Sequence, residues 1–408
     1  MFVRLILTLP WLFATYLQAN GQHEISGQVL DSATRQPVSF ANIYFANTSI
    51  GTVSNEKGEF NLRGFASGKY DLVVSFIGYR TTHQTITFPG APSELTVLLT
   101  AEALQLGELV VKPDYSQRAS DLRQFEKYFI GDNINASKCR IVNQDQLVAY
   151  KDDDSHALIA FARAPLEIRN EALGYKIFYE LNDFEVNFTA LTQRYSGVPR
   201  FEELVYKNLA QKRRWEDERR RAYNGSFAHL IHCVQRGLLD GPFAIYELHQ
   251  KPNPKRPPDQ YLKKKVEFWR SKYRSNLRTT NNNEMAQDSM EYYVKLYNEP
   301  LLIDSLGKRI TEVTELLNET HDRTIYTGQL YIIYSGESEE SAYIKLNRGR
   351  SNGNTQHSII ELKPGGISIY ENGYYEPIEN VFFDGYMMWS DRISNLLPRE
   401  YILGSGGG

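Results

Sequence analysis

The stretch ISGQVLDSATRQPVSFANIYFANTSIGTVSNEKGEFNL, residues 25–62, decides the fold of the first part of the chain. Its β-rich runs, 25–30, 38–45 and 59–62, are broken by Asp31-Ser32 and by Asn55-Glu56-Lys57-Gly58. Gly58 suits the left-handed position of a tight hairpin, because it carries no Cβ. Outward from there, 70–76 (YDLVVSF), 83–88 (HQTITF) and 94–99 (ELTVLL) continue the pattern across Gly68-Lys69 and Pro89-Gly90. Leu72, Val74 and Phe76 fall on one face, as a period of two requires. Six or seven short strands without a helical period predict an antiparallel β-sandwich.

At these residues the chain resembles the carboxypeptidase-regulatory-like, transthyretin-like domain. The resemblance runs through Gly27, Asp31, Pro37, Ala41, Asn42, Gly51, Thr52, Gly58 and Phe60. It continues through Ile77-Gly78-Tyr79 to the closing Leu106-Gly107-Glu108-Leu109-Val110-Val111. It implies a seven-stranded sandwich over 22–111 with no catalysis of its own. It also implies the envelope of diderm bacteria, the Bacteroidota especially, where such domains often precede TonB-dependent outer-membrane transporters. The zinc carboxypeptidase that lent the domain its name is a different module.

Residues 1–21 read as a secretory signal peptide. Arg4 supplies the basic start, 5–17 (LILTLPWLFATYL) the apolar stretch, and Ala19 and Gly21 the small residues before cleavage at Gln22. No cysteine flanks that point to carry a lipid anchor. The closing Gly404-Ser405-Gly406-Gly407-Gly408 reads as a flexible appended tail.

Residues 112–120 read as a linker and 121–403 as a larger α+β domain, strand-rich toward its end. A helix is expected over 122–129 and strands over 157–162 and 174–188, where Tyr175, Ile177, Tyr179 and Leu181 alternate with polar positions. From Phe201 the apolar spacing turns helical through Trp215 to Tyr223, and Ser226 can cap a following helix. Later strands are expected over 324–334, 341–346, 357–362 and 367–370, with a turn at Asn372-Gly373. The blocks FEKYFIGDNINASKCRIVNQDQL (125–147) and GISIYENGYYEPIENVFFDGYMMWSDRISNLLPREY (366–401) resemble envelope proteins known only by their carboxypeptidase-like regulatory domain. That resemblance implies no catalytic mechanism.

Composition narrows the function classes. Against 46 Lys+Arg stand 49 Asp+Glu, a net charge of −3, so global positive charge does not drive nucleic-acid binding. The 27 Tyr against 5 Met suit strands and partly wet surfaces. Outside the leader, no apolar run reaches the roughly 20 residues that span a bilayer.

The sharpest metal candidate is His229-Leu-Ile-His232-Cys233, three donors on neighbouring turns of one helix. A packing helix with histidines at its edge is the simpler reading, and no cofactor is expected. No HExxH, GxSxG or P-loop spacing occurs. Cys139 and Cys233 can pair in an oxidising compartment, and their spacing leaves this open. The run KRRWEDERRR, 212–221, reads as a salt-bridged helix surface. The segment 251–278 differs: ten Lys/Arg stand against Asp259 and Glu267. It opens on Pro252, Pro254, Pro257 and Pro258, read as an extended linker. Aromatic residues then interleave with cations, giving Lys263, Lys264, Lys265, Phe268, Trp269, Arg270 and Tyr273 as candidate contacts. Such a stretch suits anionic lipid, lipopolysaccharide or an acidic protein.

The reading that follows is a non-enzymatic, exported accessory protein of the periplasm or outer membrane. Its expected partner is a larger assembly such as a β-barrel transporter or a barrel export or assembly machine. A periplasmic or surface hydrolase of peptide or glycan, and a glycan- or ligand-binding surface protein, are the alternatives.

Overall fold

The computed structural model describes residues 23–402 except 92–93, 103–116, 153, 240, 280–283 and 348. The expected signal peptide, the Leu106–Val111 motif and the expected appended tail lie outside the described residues. Seven strands open the described chain: β1 (His23–Asp31), β2 (Asn42–Phe45), β3 (Gly51–Val53), β4 (Glu59–Phe65), β5 (Gly68–Ser75), β6 (Thr82–Phe88) and β7 (Glu94–Leu99). They form two sheets, β4-β1-β7 and β3-β2-β5-β6. The β1–β7 pair is parallel and the other pairs are antiparallel. Ile25, Val29, Ile43, Phe45, Leu72 and Leu99 fill the space between the sheets. Gly58 has φ +74°, as the hairpin demands. Asp31 ties its turn by accepting the N–H groups of Ala33 (2.9 Å) and Thr34 (2.7 Å).

The middle of the chain comprises α1 (Arg118–Phe129), β8 (Cys139–Ile141), β9 (Leu147–Asp152), β10 (Ala157–Ala162), β11 (Leu166–Asn170), β12 (Tyr175–Asn187) and β13 (Thr192–Glu203). The thirteen-residue β12 pairs β13 along its length and β11 then β10 on its other edge. Its buried positions alternate, and Tyr175, Ile177, Tyr179 and Leu181 face a core shared with Phe125 and Phe129 of α1. Phe201 is therefore a strand residue opposite Ile177, not the start of a helix, because pairing along β12 holds the segment extended. The helix begins later, at α2 (Leu209–Tyr223), where the Asn208 side chain accepts the Gln211 N–H at 2.9 Å. α3 (Phe227–Gln235) follows, capped by Ser226.

A second core lies beyond. It is built on β14 (Phe243–Pro252), α4 (Asp259–Thr279), α5 (Glu284–Tyr297), β15 (Leu302–Ile310), β16 (Gly328–Tyr334), α6 (Ser341–Leu346), β17 (Gln356–Leu362), β18 (Ser368–Ile369), β19 (Tyr375–Glu376), β20 (Val381–Gly385) and α7 (Tyr386–Ser390). The sheet runs β15-β14-β16-β17-β20, with α3 packed on it through Leu230, Ile231 and Val234. Residues 341–346, expected as a strand, form α6. There Tyr343 packs edge-on to Tyr386 at 5.1 Å, and six residues are too few to separate a period of two from one of 3.6. Cys139 and Cys233 are free, buried thiols belonging to different cores.

The sandwich is fastened to the rest. The Asn47 N–H donates to the Pro199 carbonyl (2.7 Å), Phe201 N–H to Thr48 (3.0 Å) and Arg399 N–H to Asn47 (2.8 Å). Lys69 pairs with Glu376, and Asn372 Nδ2 donates to the Lys69 carbonyl at 2.7 Å.

Candidate docking interface

β14 and β15 stay paired from Ile245–Ile310 out to Pro252–Leu302, whereas β14 pairs β16 only as far as Leu248. Residues 249–252 and 302–305 thus form a two-stranded ribbon beyond the sheet. At about 3.3 Å per residue the ribbon adds about 13 Å. The insertion it carries, 253–301, folds as the α4–α5 hairpin, and α4 with its 21 residues adds about 31 Å.

Three side chains close the base of this arm. Buried Asn253 donates its N–H to the Leu301 carbonyl (2.9 Å) and Nδ2 to the Pro300 carbonyl (3.0 Å), and accepts the Lys255 N–H (3.0 Å). Arg256 pairs with Asp259 and donates to the Tyr297 carbonyl at 3.0 Å. The expected proline linker is a helix start instead. Pro258 accepts the N–H groups of Tyr261 (3.0 Å) and Leu262 (3.1 Å), because a fixed φ near −65° suits the first turn.

A helix spreads consecutive residues about 100° apart, so the candidate residues divide. Leu262 is buried, and Val266, Trp269 and Tyr273 are half-buried along the same side of α4. On α5, Ala286 is buried and Met290, Tyr293 and Val294 are half-buried at matching spacing. Lys263, Lys264, Phe268 and Arg270 are exposed, and half-buried Lys265 lies over the Tyr261 ring at 5.5 Å. Phe268, 50% exposed, and Trp269 meet edge-on at 5.2 Å but serve different faces. The outer face of α4 is basic, with Lys272 and Arg274 continuing it, while α5 exposes Glu284, Asp288 and Glu291. The ribbon residue Leu302, the α5 residue Tyr292 and, at the sheet edge below the ribbon, Leu306 are also exposed. Sequence reading missed α5 as the return helix, although the spacing of Ala286, Met290, Tyr293 and Val294 signals it.

The second basic run stays on the body. Arg220 pairs with Asp217 (3.1 Å), Arg221 with Glu218, and Lys212 with Glu216 (3.8 Å). Trp215 packs so closely on Gly174 that a Cβ there would come within 2.3 Å of the ring. Arg219 lies over Tyr175 at 4.0 Å and donates to the Leu173 carbonyl at 2.8 Å.

The histidine cluster is built into packing. Half-buried His229 accepts the Gly225 N–H on Nδ1 at 3.2 Å and packs edge-on to Phe243 at 5.0 Å. Burial, with the neighbouring His232, lowers its pKa to about 4. Buried His232 shares a hydrogen bond through Nδ1 with the Tyr223 hydroxyl at 2.7 Å. Burial raises the Cys233 thiol. Among the described residues no three His, Cys, Asp or Glu side chains gather in a metal-holding group. Among them, too, no helix is long and apolar enough to cross a membrane.

Residues 25–111 match the model of the CarboxypepD_reg-like domain family. No curated protein matches the chain. Among solved structures, the chain is similar to the pilus 2b backbone protein of group B streptococcus. Identity is 16% over 20% of this chain and 41% of that one, with a TM-score of 0.18. A type II cohesin–X-dockerin complex of Acetivibrio cellulolyticus matches at 20% identity over 19% of this chain and 57% of that one, TM-score 0.16. In both, the match spans less than two thirds of the other chain. A proposed membrane-associated protein of unknown function from Bacteroides fragilis NCTC 9343 matches at 10% identity over 90% of this chain and 95% of that one, TM-score 0.16.

Proposed function

We propose that this chain, with its CarboxypepD_reg-like domain, is a non-enzymatic, exported accessory protein of the outer membrane, docking through its arm on a larger envelope assembly. One observation carries the reading: the arm continues past the β14–β16 pairing and exposes Phe268, Tyr292 and Leu302, with the cations of α4 exposed on the same hairpin. Its basic outer face suits an acidic partner surface, and its exposed rings supply area to bury at the centre of a contact. The three modules are fastened through Asn47, Thr48 and Lys69, so the body is a rigid mount for the arm.

The test replaces residues 254–300 by a two-residue Asn-Gly turn. Asn253 and Leu301 already bond to each other, so the ribbon can close. The full chain, expressed in its own host, is expected to co-purify with an outer-membrane assembly, and the armless chain to fold and purify alone. Equal co-purification of both would place the contact elsewhere.

A further inference from the structure

The outer edge of β15 is open, and the bonds at the base of the arm fix which of its backbone groups face outward. The Asn253 N–H bonds to the Leu301 carbonyl, one step beyond the Pro252–Leu302 pair of the antiparallel β14–β15 ladder. Bonded and non-bonded pairs alternate along such a ladder. Lys251–Ile303 and His249–Ser305 are therefore bonded pairs, and Pro252–Leu302, Gln250–Asp304 and Leu248–Leu306 are non-bonded ones. Leu302, Asp304 and Leu306 thus turn their N–H and C=O groups away from β14. β15 pairs with no other strand, and among the described residues no further backbone bond reaches 302–306.

The opposite edge of the ribbon is closed. Gln250 and Pro252 turn toward it, and Pro252 has no N–H to donate. The strand is also polar there, with His249, Gln250 and Lys251. β15 instead exposes Leu302 by 46% and Leu306 by 52%, on the face that also carries exposed Asp304. Two strands alone are marginally stable, and a third completes a sheet. A row of free donors and acceptors flanked by exposed leucines fits an extended peptide strand, whose backbone offers the matching groups.

A second copy of this chain fits this edge poorly. The two-fold register that pairs all three outward residues sets Leu302 against Leu306 but sets Asp304 directly against its own counterpart. Like charges directly opposite are destabilising. A strand of another protein with a cation at that position answers the charge.

We propose that the β15 edge takes up an extended segment of another protein as an added antiparallel strand, apolar opposite Leu302 and Leu306 and basic opposite Asp304. This is a contact separate from the helices of the arm. The edge lies outside residues 254–300, so this proposal and the armless-chain test fail independently.

The probe is a capped heptapeptide, Thr-Val-Thr-Lys-Thr-Val-Thr, labelled with fluorescein and titrated with the full chain by anisotropy. Saturable binding with Kd below about 1 mM is expected. Glu in place of the central Lys should weaken binding about tenfold. N-methylation of both Val and the Lys removes the donors that face β15 and should abolish binding. Asp304→Pro should abolish it with the melting temperature unchanged, because the N–H it removes bonds to nothing in the strand pair. Asp304→Lys should reverse the preference, so that the Glu-centred peptide binds more tightly. The proposal is overturned if the Lys-centred peptide does not saturate, if the N-methylated peptide binds as tightly, or if Asp304→Lys keeps the preference for Lys. A dimer of the full chain in sedimentation, lost in Asp304→Pro, would also overturn it by giving the edge to a second copy. The peptide comparisons stand even if Asp304→Pro fails to fold.

Discussion

The Asn253 side chain donates to the backbone carbonyl of Pro300 at 3.0 Å, although 47 positions of sequence separate them. With the backbone bond to Leu301 it joins the two ends of the arm. Asn253→Ala removes the Pro300 bond and strands the Lys255 N–H, a local loss of about 1–3 kcal/mol. Hydrogen exchange over residues 259–297 is expected to quicken while the melting of the two cores stays put. Unchanged exchange in the arm would contradict this account of its base.

Charge reversal of Lys263, Lys264 and Lys265 is expected to weaken docking on the envelope partner most at low salt. Exposed charges are screened over roughly 8 Å at physiological ionic strength. Phe268→Ala should weaken docking with little salt dependence and no loss of helicity. Trp269→Ala should instead loosen the α4–α5 seam, seen as lost helical circular dichroism. If the two aromatic variants behave alike in both measurements, the division of faces is wrong.

Burial lifts the carboxyl of Asp391 from 3.8 to about 6. Between these values the folded chain holds a proton that the unfolded chain releases, so stability falls as pH rises through that window. Two units correspond to about 2–3 kcal/mol at most. Asp391→Asn keeps an acceptor for the Phe227 N–H and is expected to flatten the stability profile between pH 4 and pH 6. Urea melts at pH 4.5 and pH 7 for both proteins check this; equal slopes would refute it.

His229 and His232 each spend Nδ1 on a hydrogen bond within the fold. A chelator is accordingly expected to leave the melting temperature unchanged, and the purified chain to carry no stoichiometric zinc. A drop in melting temperature on chelation would assign them a structural metal, because binding and folding are then coupled.

The sandwich was legible because its signals are local: Gly58 needs its φ of +74°, and Asp31 caps its own turn. β12 was legible because the alternation from Tyr175 to Leu181 leaves no competing period. Residues 341–346 misled because a six-residue window satisfies both periods, and Phe201 because apolar spacing near a strand end imitates a helix. Cation density pointed to 251–278, but only pairing with α5 decides which residues are seam and which are surface.

The insertion that forms the arm leaves and re-enters the sheet at two residues already bonded to each other, Asn253 and Leu301. Topologically it is a cartridge. On the docking proposal, exchanging the cartridge is expected to retarget the protein while the chassis, whose two cores lie outside the insertion, folds as before. The same socket is the natural place for a grafted epitope or fluorescent reporter, since the insertion contributes no residue to either core.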